Sequence, residues 1–264
     1  MRQYRRSCEL NRDPAVLKAR FLIKRYILVG FCVFITVLIL SFPAKIAYRW
    51  FIPESVLLGH ISGTIWKGNA LQGMVGKAYI RDISWNFKPS DILRGRLTFN
   101  TASKPASGSI YSDVSLGYNG TLILSDLSGN VPLDVVHLIF KRNGIRADLS
   151  FNFDQIAIAN EFPVTVAGTM QIGNLYIPDL SAGVLGNLSV NFVTERDAIK
   201  ADFQDLSGVL QVIGTLSILK NGNYSLVGQV AARRGATPSI GQQLRLLGSP
   251  NENGLREFRF EGQL

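Results

Sequence analysis

Cysteine and histidine are scarce in this chain, which has only two of each among 264 residues. Both cysteines, Cys8 and Cys32, lie near the N-terminus, so the remaining stretch of about 220 residues can form neither a disulfide nor a thiolate metal site. Single, widely separated histidines (His60 and His137) also argue against a zinc centre. A cysteine-free region of this size can build a core without disulfides and is compatible with an oxidising compartment such as the bacterial periplasm.

Motifs of catalysis are also absent from the sequence. No G-x-S-x-G nucleophile elbow occurs, and the glycines over 68–76 do not form the frame of a phosphate-binding loop. No carboxylate pair with flanking aromatics indicates sugar hydrolysis. We therefore expect a non-enzymatic protein with no catalytic, cofactor-binding or metal-binding residues. A membrane-tethered hydrolase is the alternative, and its sign would be a histidine or a carboxylate pair converging in a cleft.

One long run without charge is present, the 17 residues from Tyr26 to Phe42 (YILVGFCVFITVLILSF). Continued to Lys45 as an α-helix, it would be about 28 Å long, close to the thickness of a bilayer's hydrocarbon layer. Tyr26 and Trp50 flank it, as aromatic residues flank membrane spans at the headgroup layers. The sequence predicts a single transmembrane helix over residues 26–44.

Basic residues are concentrated before this run. Residues 1–25 contain eight Lys/Arg and two acidic residues, which places them in the cytoplasm by the positive-inside rule and residues 45–264 in the periplasm. A cleaved signal peptide is the alternative, but no pair of small residues marks a cleavage site. The formal charge of +9 falls to +3 without this tail, and no Lys/Arg stripe with interleaved aromatics follows, so we expect no nucleic-acid partner.

Short stretches of alternating apolar and polar residues fill the region after residue 45. Such alternation is typical of half-buried strands, and the Asn-Gly pairs between them (119–120, 143–144, 221–222 and 253–254) are typical of hairpin turns. The predicted fold is mainly β: a single N-terminal transmembrane helix, then a repetitive antiparallel sheet with one or two short helices. Closed barrel, sandwich and curled open sheet all fit this pattern.

Two segments have helical features, residues 133–140 and residues 238–247. The first follows Pro132. In the second, Thr237 can cap the helix, Pro238 suits its first turn and Gly248 can end it. Recurring Gly-Thr pairs (63–64, 120–121, 168–169 and 214–215) and Asp-Leu-Ser triplets suggest repeated hairpin units, although such short strings also recur by chance. The polar stretch 101–109 (TASKPASGS) predicts a loop or a subdomain boundary within a single periplasmic domain.

Two motifs follow the apolar run in order, GHISGTIWKG over 59–68 and ISWNFKPSDILRGRL over 83–97. Together they resemble the general secretion pathway protein N family, which has a single N-terminal span, a G-T-aliphatic-W-x-G segment, and an aliphatic-x-W segment leading to P-x-x-L-L-x-G-x-L. Residues 214–216, 221–228 and 246–254 look like the closing pattern of that family. The motif positions, expected to be structural or to contact partners, are Gly63, Thr64, Trp66, Gly68, Trp85, Pro89, Leu93, Gly95 and Leu97.

This resemblance implies an accessory component of the type II secretion system at the bacterial inner membrane. Its partners would be other subunits of that system and the inner-membrane bilayer. It would bind the partner proteins through strand edges or an apolar surface. Trp66 and Trp85 fit either core positions or exposed partner anchors, and their alternating apolar neighbours favour the core. The alternative function is a periplasmic lipid-binding or lipid-transfer protein, in which the sheet forms an apolar groove for acyl lipids.

Overall fold

The protein is described from a computed structural model, and all structural statements concern residues 14–51, 56–75, 78–105, 107–117, 120–132, 144–159, 162–196 and 198–263. The elements in chain order are α1 (Pro14–Leu40), α2 (Ala44–Phe51), β1 (Val56–Gly63), β2 (Lys67–Val75), β3 (Ala78–Lys88), a 3-10 helix (Pro89–Arg94), β4 (Arg96–Pro105), β5 (Ser109–Gly117), β6 (Leu122–Pro132), β7 (Arg146–Ala159), β8 (Phe162–Tyr176), β9 (Gly186–Glu195), β10 (Ala198–Gly208), β11 (Leu210–Leu219), β12 (Asn223–Ala232), α3 (Pro238–Arg245) and β13 (Arg256–Gln263).

The first helix ends earlier than the sequence predicts. We expected one helix through residue 44, but α1 ends at Leu40 and a second helix begins at Ala44. Pro43 explains the break, because proline disfavours the helical conformation in the preceding residue and has no N–H to donate. Pro43 instead forms an isolated antiparallel bridge with Thr64. Within the described residues, no helix combines the length and the apolar character required to cross a membrane.

The thirteen strands of the described residues form a single antiparallel sheet in sequence order, from β1 to β13. The predicted antiparallel sheet is therefore confirmed. Within the described residues the first and last strands do not pair, so the sheet is open rather than a closed barrel. An open sheet this wide is expected to twist and curl. Extra residues in β3, β6, β7, β8 and β10 shift the register and add to the bending, because a bulge kinks its strand.

The pairing register separates the sheet into an apolar face and a polar face. One cross-strand row of the apolar face runs through Phe87, Phe99, Val114, Leu124, Ile156 and Val166. A second runs through Phe153, Gly168, Phe192, Ala201, Leu216, Leu226 and Phe260. The polar face carries the row Asn152, Thr169, Asn191, Asp202, Thr215, Val227 and Arg259.

Aromatic rings on the apolar face lie over glycines of neighbouring strands. A Cβ added to the glycine would meet an aromatic ring carbon at about 3 Å or less in each of these pairs: Gly68–Trp85, Gly129–Phe151, Gly168–Phe153, Gly214–Phe203 and Gly228–Phe258. The ring thus fills the space that a side chain would occupy, which is the arrangement known to compensate glycine in a strand.

Aromatic cover explains why glycine is present in two of the four Gly-Thr pairs. Gly168 and Gly214 lie within strands, each beneath an aromatic ring. Gly63 ends β1 and Gly120 lies in the turn before β6, so the four pairs do not occupy equivalent positions. The recurrence does not mark equivalent hairpin units.

Helices contact the sheet at its two ends, where α2 packs on β1 and α3 packs on β12. The α3 prediction is confirmed in position: Ile240, Leu244 and Leu247 face the sheet and line an apolar cavity. The predicted N-cap hydrogen bond of Thr237 is not formed. The Thr237 hydroxyl is hydrogen-bonded to the Ser239 hydroxyl rather than to a backbone N–H. The helix predicted over 133–140 lies outside the described residues. Of the stretch 101–109, residues 101–105 belong to β4 and residue 109 begins β5, and these two strands pair with each other.

Candidate functional site at the helix–sheet junction

The C-terminal end of α1 is joined to the first hairpin by hydrogen bonds. The indole N–H of Trp66 donates to the Ile39 carbonyl at 2.8 Å, and the Ile65 N–H donates to the Phe42 carbonyl at 3.0 Å. We call the contact between Ile39–Phe42 and the turn Thr64–Trp66 the helix–sheet junction. The junction connects the apolar N-terminal helix directly to the sheet.

Thr64 organises the turn at this junction. Its hydroxyl accepts from the N–H groups of Trp66 at 3.3 Å and Lys67 at 3.2 Å, and its carbonyl accepts the indole N–H of Trp85 at 3.2 Å. Gly63 precedes it with φ of +91°, a conformation that favours glycine. The structure therefore brings together Gly63, Thr64, Trp66, Gly68 and Trp85 from the two predicted motifs.

The two tryptophans are half-buried rather than fully enclosed. Trp85 covers Gly68, while the Trp66 ring packs on Phe87, with centroids 4.7 Å apart, and Phe87 packs on Phe99 at 5.3 Å. This chain of rings extends the junction across β3 to β4. Phe87 and Phe99 were not identified as site residues from the sequence. The spacing of Trp85 and Phe87 could have shown it for Phe87, because residues two apart in a strand lie on the same face of the sheet.

The remaining motif positions belong to the 3-10 helix after β3 and to β4. Pro89 opens the 3-10 helix, and Gly95 ends it with φ of +71° and an N–H bond to the Ile92 carbonyl at 2.9 Å. Leu97 lies on the apolar face of β4, opposite Leu116. Leu93 does not join the other motif residues, because its side chain is 93% exposed.

Polar contacts hold the 3-10 helix on the sheet beside this exposed leucine. A hydrogen bond from the Thr98 hydroxyl holds the pKa of Asp91 below its ordinary value, and Thr98 itself is buried and bonded to Ser115 at 2.8 Å. A hydrogen bond to Asp113, at 2.9 Å, raises the pKa of Lys88. Because the 3-10 helix is fixed on both sides, Leu93 is presented on an ordered segment.

Comparison with known proteins decides the family. A family model described as type II secretion system (T2SS), protein N matches residues 54–259, most of the chain. The chain belongs to the type II secretion system protein N family. The resemblance inferred from the two motifs is thereby confirmed.

Two relatives named type II secretion system protein N agree with the family assignment. That of Aeromonas hydrophila is 24% identical over 272 residues, covering 94% of this chain and all of the relative. That of Pectobacterium carotovorum subsp. carotovorum is 21% identical over 225 residues, covering 84% of this chain and 90% of the relative. No solved structure matches the chain. This member of the protein N family is thus similar to both relatives over most of its length.

The junction contains no arrangement typical of an enzyme centre. Within the described ranges, no three His, Cys, Asp or Glu side chains come close enough to hold a metal ion. The junction is built from indole rings, glycines and backbone groups, which bind apolar and aromatic surfaces rather than activate nucleophiles.

Proposed function

We propose that this protein is a non-enzymatic accessory component of the type II secretion system, anchored in the bacterial inner membrane and acting through protein–protein contacts. Family membership is the observation that carries the proposal. Other subunits of the secretion system are the partners that it implies, and the export of folded proteins from the periplasm across the outer membrane is the process.

The charge-free run Tyr26–Phe42 and the eight basic residues before it support a single-pass anchor with a cytoplasmic N-terminus. In this topology residues 1–25 are cytoplasmic, 26–44 cross the membrane and 45–264 are periplasmic. Side chains of α1 between Tyr26 and Leu40 are largely exposed, including Phe31 and Phe34 at about 60%, as expected of a helix surrounded by lipid. The helix–sheet junction would then hold the first hairpin at the membrane surface.

Leu93 is the motif residue best suited to contact a partner. Leu93 is 93% exposed beside Ile92, which is 50% exposed, and adjoining exposed apolar side chains on an ordered segment are typical of an interaction site. Gly63, Thr64, Trp66, Gly68 and Trp85, in contrast, make contacts within the chain. We therefore assign partner contact to the 3-10 helix and structural support to Gly63, Thr64, Trp66, Gly68 and Trp85.

Replacing Leu93 by serine is expected to reduce secretion of a folded substrate and crosslinking to secretion-system subunits, with no change in the melting temperature. The measurement is photo-crosslinking in the native bacterium from alternate positions over 71–99, with mass spectrometry of the attached proteins. Leu246→Ser is the matched control, because Leu246 is 87% exposed at the far end of the sheet and should leave secretion unchanged. Equal secretion by both variants would contradict the role given to Leu93, and crosslinks to no secretion-system subunit would contradict the function.

A second candidate function, acyl-lipid binding, is favoured by an apolar cavity between α3 and the sheet. Its volume is about 250 Å³, and its lining includes Leu180, Leu210, Leu244, Phe258 and Phe260. The apolar face continues from it, and Leu97, Leu116 and Phe260 on this face are each about half exposed. A groove of this composition can accept an acyl chain, because burial of each methylene contributes about 0.8 kcal/mol.

For this second function, native mass spectrometry of the full-length protein in detergent is expected to show a co-purifying phospholipid. Leu244→Glu, which places a charge in the cavity, is expected to abolish that adduct, whereas Leu246→Glu outside the cavity is expected to retain it. An unmodified mass for the native chain, or equal lipid in both variants, would rule out lipid binding in this cavity.

A further inference from the structure

The two edges of the open sheet differ in how they are protected. At the β1 edge, α2 packs against the strand, the Leu58 N–H donates to the Tyr48 hydroxyl at 3.1 Å, and His60 interrupts the strand with φ of +55°. Covering, hydrogen bonding and local distortion are the usual means by which an edge strand is prevented from pairing. The β1 edge is therefore closed to another strand.

The β13 edge has none of these protections within the described residues. Arg256–Gln263 is eight residues long, has no proline or bulge, and pairs with β12 along its whole length in one register. In an antiparallel edge strand, alternate residues direct their N–H and C=O groups away from the neighbouring strand. Those of β13 are thus available to a further strand.

The alternation of side chains along β13 would allow this strand to pair with β13 of a second, antiparallel copy of the chain. Phe258, Phe260 and Gly262 lie on the apolar face, whereas Glu257, Arg259 and Glu261 lie on the polar face. Two antiparallel copies paired with Phe260 opposite Phe260 would place each Arg259 opposite the Glu261 of the second copy. The same register places Phe258 opposite Gly262, and both residues lie on the apolar face.

Neighbouring registers are less favourable. Centring the pair on Arg259 would oppose Arg259 to Arg259 and Glu257 to Glu261, and like charges directly opposite are destabilising. Centring it on Phe258 would shorten the overlap and place Arg256 opposite Phe260. A shift by a single residue would bring the apolar face of one copy alongside the polar face of the other.

We propose that the β13 edge binds a second copy of this chain, forming a two-fold dimer through an antiparallel β13–β13 pair centred on Phe260. The pair would extend the sheet from thirteen to twenty-six strands and make the two apolar faces continuous. It would also cover Phe260, which is 55% exposed in the single chain. Arg259 and Glu261, which form an exposed ion pair at 2.6 Å within one chain, would exchange partners across the interface.

Cysteine crosslinking of the full-length protein, with Cys8 and Cys32 replaced by serine, tests this register. Directly opposed residues of an antiparallel pair have Cα atoms about 4.5–5.5 Å apart, within disulfide range, so Phe260→Cys is expected to yield a covalent dimer on mild oxidation. Phe258→Cys is the matched control, because the two copies of residue 258 would lie about 13 Å apart along the strand, beyond that range. Crosslinking by Phe258→Cys instead, or by neither variant, would overturn the proposal.

Charge reversal supplies an independent measurement on the native cysteine background, with the dimer fraction read from sedimentation in detergent. Glu261→Arg should lower dimer affinity about tenfold, and Arg259→Glu combined with Glu261→Arg should restore it, because opposite charges face one another again. Glu257→Arg should leave the affinity unchanged, since Gln263 lies opposite. A native chain that sediments as a monomer at all concentrations, or an edge occupied by a different protein, would overturn the proposal.

Discussion

Replacing Trp66 with alanine is expected to lower the free energy of unfolding by about 3 kcal/mol, the lower part of the range for deletion of a large aromatic side chain. The indole of Trp66 is half-buried, packs on Phe87 with ring centroids 4.7 Å apart and donates to the Ile39 carbonyl at 2.8 Å. Alanine removes both the ring contact and the hydrogen bond that joins α1 to the first hairpin. The measurement is denaturant unfolding of the full-length protein.

Trp50 provides the matched control for this substitution. Its side chain is 70% exposed, and its ring contact is with Phe42, at a centroid distance of 6.3 Å. Trp50→Ala should therefore cost less than about 1 kcal/mol, as exposed substitutions usually do. An unchanged midpoint for Trp66→Ala, accompanied by lost crosslinks to secretion-system subunits, would show instead that Trp66 is a partner anchor.

Replacing Gly228 with alanine is also expected to have a large effect, lowering the free energy of unfolding by about 2–3 kcal/mol. Added volume in a packed site displaces the neighbouring atoms. An added Cβ would lie 2.5 Å from Cζ of Phe258 and 2.7 Å from the backbone oxygen of Ile213. The ring can rotate, but the oxygen belongs to the adjacent strand and cannot move without breaking the pairing of β11 with β12.

Gly241 in α3 is the control for this glycine substitution. No atom lies within 4 Å of its added Cβ, and the residue is in a helix interior. Gly241→Ala should stabilise the protein by up to about 1 kcal/mol, since alanine is the better helix former. Equal unfolding midpoints for Gly228→Ala and the native chain would mean that the Phe258 ring does not fill the space above Gly228.

The strands, their antiparallel pairing and the position of α3 could be predicted from the sequence because each depends on residues close together in the chain. Alternation at Leu149, Phe151 and Phe153 fixes which side chains share a face, and Asn221-Gly222 marks a turn between consecutive strands. A meander needs no more than this local information. The family motifs were also recognisable, since they are contiguous strings.

What could not be predicted depends on residues far apart in the sequence. Whether β1 pairs with β13 is not encoded in either strand alone, so the open sheet was one of three alternatives. The aromatic cover of Gly214 by Phe203 depends on the register between β10 and β11. Among the site residues, the exposure of the Leu93 side chain could not be predicted, because leucine is more often buried than exposed.

The meander also limits how a chain with this fold can change in size. Each strand pairs only with its neighbours in the sequence, so stability is close to a sum of local terms, as in solenoid proteins. Inserting or deleting one two-stranded hairpin would change the width of the sheet by about 10 Å and leave every other pairing intact. An odd number of strands would instead reverse the direction of all later strands relative to α1. The reach of the sheet can therefore change during evolution in steps of one hairpin.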